Sequence, residues 1–451
     1  MEILAIILFV TIFVLILRGY PVAFTLGGVS TLFALGIIVF APDYLSFSDF
    51  RLLVSRYMGQ MNNYVLMAVP LFIYMGIMLE KSGLAEGLLE TMALLFGKLK
   101  GGLAISVVLV GALLAASTGI VGATVVTMGL ISLPTMLKRG YDIPLATGTI
   151  ASSGTLGVII PPSIMLVLLA DTINSSNRGA AAVDVGTMFA AALLPGMLLV
   201  LAYIVYILIY SNIRKGVAPP MTDEELAEFR GEGFLRRVVE AFVLPFVLIV
   251  AVLGSIFAGI ASPTEAAAVG ALGATLLTII QRKFSYSILK EVMEETTHIT
   301  AMVFMILLGA TTFTLIFREL GGDDYLVEMI TQSNFSPMMF LGLVMLVIFV
   351  AGFFIDFIEI IFIIVPVVTP IFNAFEMDML WVGILIAMNL QTSFLTPPFG
   401  FSLFYLKGVA PPEVSTQQIY KGIVPFIAVQ LVFIAVIVAY PEFIYMLFGK
   451  T

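Results

Sequence analysis

Long apolar runs separated by short polar breaks fill most of this chain. They lie near residues 3–17, 21–41, 64–80, 142–170 and 187–210, and again near 239–260, 264–281, 299–317, 381–406 and 422–441. A helix needs about 17 or more mostly apolar residues to cross the hydrocarbon of a bilayer. The pattern therefore predicts about ten crossing helices, in two sets of five. Two runs are interrupted in the same way. Ala146 to Leu166 reads ATGTIASSGTLGVIIPPSIML, and Val382 to Ser402 reads VGILIAMNLQTSFLTPPFGFS. Each has a Gly/Ser/Thr-rich gap and then a Pro-Pro pair. Proline lacks an N–H and pushes the residue before it out of the α region. In lipid, such a break persists only where protein or a water-filled cavity satisfies the freed backbone. A matched pair of interrupted segments in two halves points to a transporter's binding site.

The repeat extends beyond the proline pairs. RGYPVAFTLGGVSTLFALG, from Arg18, matches IASPTEAAAVGALGATLLT, from Ile260, so Pro21 pairs with Pro263. IMLEKSGLAEGLLE, from Ile77, matches LIFRELGGDDYLVE, from Leu315. Pro134 pairs with Pro370, and Pro195 with Pro425. Several matches in one order indicate a duplicated unit. The expected division is a first repeat at 1–210, a cytoplasmic linker at 211–238 and a second repeat at 239–451. Within them, 1–60 and 239–297 would be scaffold. The parts at 61–210 and 298–451 would carry an arm, a hairpin and a broken helix.

An odd number of crossings per repeat inverts one half relative to the other. With both termini outside, all of the 21 Lys and Arg fall inside except Arg51, Arg56, Arg178, Arg318 and Lys450. That is a clear positive-inside bias. Two further apolar stretches start and end on one face. Gly101 to Leu137 is interrupted at Ser117-Thr118-Gly119, and Pro337 to Phe375 near Gly352 to Asp356. Two full crossings would also return to the starting face. Re-entrant hairpins are favoured because their polar tips would meet the broken helices. Amphipathic segments precede both, Leu84 to Leu99 and Tyr325 to Ser333; they read as interfacial helices, either arms to a moving part or plain loop helices.

Composition agrees with a membrane protein: 61% hydrophobic and 11% charged residues, against about 25% charged in soluble domains, with mean hydropathy +1.13. No cysteine is present, which excludes disulfides and thiolate metal sites. The first run begins at Glu2, where a secretory signal would be basic, and lacks a small-residue cleavage site. It reads as a first membrane helix. No phosphate loop, zinc-binding His/Glu spacing or G-x-S-x-G element occurs, so neither ATP use nor a membrane hydrolase is supported.

The candidate chemistry is neutral oxygen. The first tip offers Ser117 and Thr118. The first break offers Ser152, Ser153 and Thr155 with the backbone of Gly157, Ile160 and Pro161. The second tip offers Gly352 and Asp356, and the second break Asn389, Gln391, Thr392, Ser393 and Thr396. Two such clusters suit monovalent cations together with a small anion, since half-helix N-termini attract anions and C-termini cations. The plainer alternative is that these small residues let helices pack closely. Asp356 either carries or tunes a coupling ion or caps the second hairpin helix, the capping role being slightly favoured. Glu265, after Ser262-Pro263-Thr264, reads as a helix-start acid. Asp171 and Asp184 read as solvated at the outer rim, Trp381 as an interface anchor, and His298 as lying at a cytoplasmic helix end.

SSGTLGVIIPPSIML, NLQTSFLTPPFGFSLF and the tip GFFID resemble the large membrane subunit of tripartite ATP-independent periplasmic transporters, over essentially the whole chain. The resemblance implies an all-α polytopic, elevator-type transporter with inverted repeats, two re-entrant hairpins and two broken helices. It implies sodium-driven import of a small organic acid, with two or more Na+ ions. It also implies a small four-helix membrane subunit and a soluble periplasmic binding protein as partners, in a bacterial or archaeal cytoplasmic membrane. By resemblance, a first sodium site would use Ser117, Gly157, Ile160 and Pro161. A second would use Gly352, Ser393, Thr396 and Phe399. Thr118, Ser152, Ser153, Thr155, Asp356, Asn389, Gln391 and Thr392 would face the substrate or stand behind these ligands. Many members have S-G-S-S at the first tip and glycine at the position of Ser393. The tip is similar to the branch associated with mannitol or chloroaromatic compounds, which includes 2-oxo acid and lactate systems; C4-dicarboxylates are the other expected class. A channel or exchanger of the same inverted architecture, needing neither sodium nor a binding protein, is the alternative.

Overall fold

A computed structural model of the chain describes residues 2–42, 45–177, 182–222, 234–333 and 335–447. Arg178, Arg230 and Lys450, used in the charge count, lie outside the described residues, as do the side chains of Asp49, Leu84, Ala85, Ser117, Thr118, Leu235 and Arg237. All regular structure among the described residues is helical.

The first half comprises α1 (Glu2–Leu17), α2 (Val22–Phe40), α3 (Phe47–Met61), α4 (Ala68–Lys81, entered through a 3-10 turn at Tyr64–Met67), α5 (Leu84–Phe96), α6 (Gly102–Thr118), α7 (Val121–Lys138), α8 (Ile143–Thr155), α9 (Ile164–Ser176) and α10 (Val185–Ile213). The second half repeats the order. α11 runs from Phe234–Val238 through a π-helical turn, Val239–Val243, into Leu244–Phe257. There follow α12 (Pro263–Ile280), α13 (Tyr286–Glu319), α14 (Gly322–Gln332), α15 (Pro337–Ala351), α16 (Phe357–Ala374), α17 (Met379–Leu395), α18 (Phe401–Val409) and α19 (Thr416–Ala439). Nine helical stretches among the described residues are long and apolar enough to span a membrane. The chain is a multi-pass membrane protein. Those nine include α7 and α16, the second arms of the two hairpins, whereas α1 has 16 residues.

Local sequence sets the helix ends. Ser262 and Glu265 form a reciprocal capping box at the start of α12, with Pro263 in its first turn. Ser415 and Gln418 do the same for α19. Each arm turns on a glycine in the left-handed region, Gly83 (φ +67°) before α5 and Gly321 (φ +73°) before α14. A Cβ there would cost energy that glycine avoids, so the two mates share one turn chemistry.

Four sequence readings change. No element was expected at 47–61, yet α3 forms there. Its Arg51 and Arg56 break any apolar run, but its buried side holds, with Tyr57 Oη hydrogen-bonded to Thr312 Oγ1 at 2.5 Å. The run expected at 299–317 is the C-terminal part of the 34-residue α13. His298 therefore lies inside a helix rather than at its end. Asp171 is not solvated: α9 continues past it to Ser176, leaving it 8% exposed with Asn63 Nδ2 donating to it at 2.6 Å. Trp381 is not an interface anchor. It is buried, and its Nε1 donates to the Ile437 carbonyl at 2.9 Å, because α19 covers the start of α17.

Packing interlocks the two repeats. α2 lies along α13, and its mate α12 lies along α4. α19 covers α8, as α10 touches α17. α7 packs on α18, and α16 on α9. In each case an element of one repeat meets an element of the other. Glycines permit the closest crossings. A Cβ on Gly309 would sit 2.5 Å from the Ala23 carbonyl oxygen of α2. A Cβ on Gly148 would overlap the Gly422 carbonyl, and one on Gly422 the Pro144 carbonyl.

Gly422→Ala therefore forces α19 away from α8, and overpacking of this kind costs about 1–3 kcal/mol. Gly408→Ala, where a Cβ meets nothing within 4 Å, should be neutral or stabilising, because alanine is the better helix former. Thermal unfolding in detergent would show a lowered midpoint only for Gly422→Ala. Equal midpoints would contradict the close crossing.

Candidate functional site

The two proline pairs end α8 and α17 and start α9 and α18 a few residues later. Both Pro-Pro bonds, Pro161–Pro162 and Pro397–Pro398, are cis. In a continuous helix the N–H of residue i+4 would reach the carbonyl of residue i. Pro161 and Pro162 have no N–H for Gly157 and Val158. Pro397 and Pro398 have none for Ser393 and Phe394. The chain meets part of this deficit with serine. Ser163 Oγ donates to the Val158 carbonyl at 2.7 Å, and Ser402 Oγ to the Phe394 carbonyl at 2.7 Å. Both serines are fully buried. Thr396 N donates to the Ser393 carbonyl at 3.1 Å. Sequence reasoning missed Ser163 and Ser402; the signal was a serine shortly after each proline pair.

The hairpin tips press against the breaks. A Cβ on Gly157 would overlap the Ala115 carbonyl, at the end of α6. A Cβ on Gly352 would overlap Ser393 Oγ. Ala115 O also accepts Gly119 N at 2.8 Å, which closes the first tip. Phe354 of the second tip packs on Phe399 of the second break in a tilted ring pair, with centroids 5.1 Å apart. The structure thus brings Gly157 to the first tip and Gly352, Ser393 and Phe399 to the second. Ile160 and Pro161 lie on the outer side of the first break, where they line an apolar cleft.

The hydroxyl-bearing candidates turn inward. Ser152, Ser153 and Thr155 donate to the carbonyls of Thr149, Ile150 and Ser152 at 3.1, 3.0 and 2.9 Å. Thr392, Ser393 and Thr396 donate to Met388, Leu390 and Thr392, each at 2.8 Å. Such back-bonding uses each hydroxyl's proton within its own helix and leaves the oxygen's lone pairs. Ser153 also sits beneath Gly111, whose Cβ would approach it to 2.6 Å. Asn389 Nδ2 donates to the Met345 carbonyl at 2.7 Å and ties α17 to α15. The Gln391 amide is fully buried, with no hydrogen-bond partner among the described residues. The side chains of Ser117 and Thr118 lie outside the described residues.

Beside the tips lies a cavity of about 320 Å³, lined by Ile120 to Ala123, Val126, Asp356, Phe394, Phe401 and Tyr405. Its wall carries three helix N-termini: Val121 begins α7, Asp356 caps α16, and Phe401 begins α18. Asp356 is committed to α16, its Oδ1 accepting Phe357 N at 2.7 Å, while Glu359 Oε2 accepts Asp356 N at 3.4 Å. The α7 and α18 starts, at Ile120 and Gly400, have no side-chain cap. Helix N-termini leave N–H groups without intrahelical partners and carry partial positive charge. No Lys, Arg or His lines the cavity among the described residues. Tyr405 supplies a hydroxyl. The wall therefore combines one carboxylate, Asp356, with two helix starts that lack a side-chain cap.

Residues 9–443 match the family described as "Tripartite ATP-independent periplasmic transporter, DctM component". The chain is 30% identical over 409 residues to the C4-dicarboxylate TRAP transporter large permease protein DctM of Pseudomonas aeruginosa, covering 90% of each chain. It is 29% identical over 429 residues to the ectoine TRAP transporter large permease protein TeaC of Halomonas elongata, covering 95% of each. Among solved structures, the Alcanivorax borkumensis YdaH transporter has the same fold, with TM-score 0.59, 14% identity and coverage of 88% of this chain and 89% of that one.

Ser402→Ala and Ser163→Ala each orphan a buried carbonyl, which costs about 1–3 kcal/mol. Thr135→Ala, removing an exposed back-bonding hydroxyl, should stay within about 0.5 kcal/mol. Thermal unfolding of the three variants separates them. Wild-type midpoints for both serine variants would show that the breaks do not need these donors.

Proposed function

This chain belongs to the DctM-component family of tripartite ATP-independent periplasmic transporters, and we propose that it imports a small carboxylate across the cytoplasmic membrane, driven by sodium. As a large permease of that family it carries out secondary transport of organic acids and is not an enzyme. The observation that carries the finer reading is the cavity at the hairpin tips. Its volume, about 320 Å³, lies at the low end of small-molecule sites. The uncapped starts of α7 and α18 bring partial positive charge to its wall, which offsets the Asp356 carboxylate, and no basic side chain lines it among the described residues. A small carboxylate such as a 2-oxo acid, lactate or a C4-dicarboxylate fits that size and charge. The relatives named for C4-dicarboxylate and ectoine transport support a compact substrate with a carboxylate group.

Sodium would bind where each tip meets a break. Gly157, Ile160 and Pro161 with Ser117 form the first site, and Gly352, Ser393, Thr396 and Phe399 the second. The proline pairs withdraw N–H donors there, so main-chain oxygens remain for a hard cation. Two or more ions would compensate the charge of the carboxylate. Transport would proceed as an elevator, the hairpins and broken helices moving against a scaffold that includes α1, α2, α11 and α12. A small four-helix membrane subunit would complete the scaffold, and a periplasmic binding protein would deliver the substrate. Both termini would lie outside.

Uptake into proteoliposomes tests this reading. The chain would be reconstituted with the small subunit and the binding protein, and offered labelled 2-oxo acids, lactate and C4-dicarboxylates. Accumulation should require both an inward sodium gradient and the binding protein. Accumulation without either would overturn the coupled importer in favour of a channel or exchanger.

A further inference from the structure

α4 is bound along its whole length to α12. Thr264 Oγ1, in the first turn of α12, donates to the Tyr64 carbonyl at 2.7 Å, just before α4. At the other end Lys283 Nζ donates to the Gly83 carbonyl at 3.1 Å, just after α4. Midway, Tyr74 Oη and Thr275 Oγ1 lie 2.9 Å apart, and a Cβ on Gly270 would approach Met75 Sδ to 2.6 Å. Lys81 Nζ also pairs with Glu295 Oε2 of α13 at 3.2 Å. These contacts join α4 firmly to α12 and α13.

From each end of α4 a side-chain hydrogen bond crosses to the first hairpin or the first broken helix. Asn63, before the 3-10 turn that enters α4, donates through Nδ2 to Asp171 Oδ1 of α9 at 2.6 Å. Its Oδ1 accepts Val65 N at 3.0 Å, which fixes the direction of the amide. At the far end, Thr127 Oγ1 of α7 donates to Glu80 Oε1 at 2.6 Å. The two bonds stand about 25 Å apart along α4. The repeat gives a related contact. Arg318 occupies in LIFRELGG the place of Glu80 in IMLEKSGL. At the end of α13 its Nη2 donates to the Ser176 carbonyl, at the end of α9, at 3.4 Å. Both mates thus end on a charged side chain that reaches across to α7 or α9.

We infer that Asn63–Asp171 and Glu80–Thr127 form a two-point latch that holds the hairpins and broken helices at their present height on the scaffold. The inference rests on the elevator motion proposed above. A slide of one helical turn, about 5.4 Å, carries both pairs beyond hydrogen-bond reach. A tilt about one end of α4 keeps one bond only by breaking the other. Each bond stabilises this state relative to any displaced one, so its loss shifts the population toward displacement. Asn63, Asp171, Glu80 and Thr127 act here as positioning residues.

Electron–electron double resonance on the full chain in nanodiscs tests the latch. The chain has no cysteine, so nitroxides can be placed at Thr135→Cys of α7 and Tyr286→Cys of α13, both exposed positions. Asn63→Ser keeps a capping oxygen but is too short to reach Asp171, and Thr127→Val keeps the shape without the hydroxyl. Each should lower the ratio of the present distance to the displaced one about fivefold. The two sites are far apart, so together they should lower it about 25-fold. Thr275→Val, which breaks a bond between α4 and α12, should leave the ratio unchanged. Two distances whose ratio answers to sodium and lactate but not to folded Asn63→Ser or Thr127→Val would overturn the latch alone. One fixed distance in every sample, with sodium and lactate present or absent, would overturn the elevator and the latch with it. If the combined variant does not fold, the single variants decide.

Discussion

Every peptide group placed in hydrocarbon must find a partner, and the two proline pairs break that rule at four carbonyls. The surrounding structure answers this deficit. Ser163 and Ser402 reach back to Val158 and Phe394. Thr396 N–H reaches the Ser393 carbonyl, and the hairpin tips pack tightly on the breaks, with Gly157 against Ala115 and Gly352 against Ser393. Glycine at 157 and 352 follows from the same constraint, since any side chain there would collide with the opposing tip or break. A polar gap in the middle of a membrane protein is thus packed against protein at both tips, and in the proposed reading the oxygens left over would serve a cation.

The interlocking of the repeats places the gaps. Had each repeat packed on itself, the two breaks would sit in separate units. Instead α7 meets α18, α16 meets α9, and α19 covers α8. The second arm of each hairpin therefore lies on the half-helix that leaves the other repeat's break. This exchange brings the starts of α7, α16 and α18 to one cavity. Polar contacts also join neighbouring helices. Glu80 at the end of α4 accepts a hydrogen bond from Thr127 of α7 at 2.6 Å, and Arg318 at the end of α13 pairs with Asp323 at 3.4 Å.

Much of this was legible in the sequence because the decisive residues are chemically unusual where they stand. Proline pairs in apolar runs, repeated in order with Pro21/Pro263 and Pro195/Pro425, gave the duplication, the breaks and the hairpins. Asp356 read as either an ion carrier or a cap at the start of the second hairpin helix, and the capping box with Glu359 appears in the structure. What stayed hidden depends on distance in space. The hydroxyls of Ser152, Ser153 and Thr392 read as groups facing the substrate or standing behind the ligands; that their protons go to their own helices' carbonyls depends on rotamers the sequence does not show. Asp171 and Trp381 read as peripheral until α9 and α19 were seen to extend over them. α3 escaped notice because Asp49, Arg51 and Arg56 break its apolar positions into runs too short to read as a crossing. The cavity wall escaped too, since Ile120 to Ala123 and Phe401 are 278 or more residues apart and carry no side-chain chemistry to flag them.

The central claim is that a small anion is held by helix N-termini beside the two tips, without a basic side chain. Its most direct test is a structure of the chain with a transported carboxylate bound in sodium, determined by cryo-electron microscopy. The account predicts density for the carboxylate against the first turns of α7 and α18, within reach of Tyr405. Density seated on lysine or arginine side chains elsewhere, with the cavity at the tips empty, would contradict it.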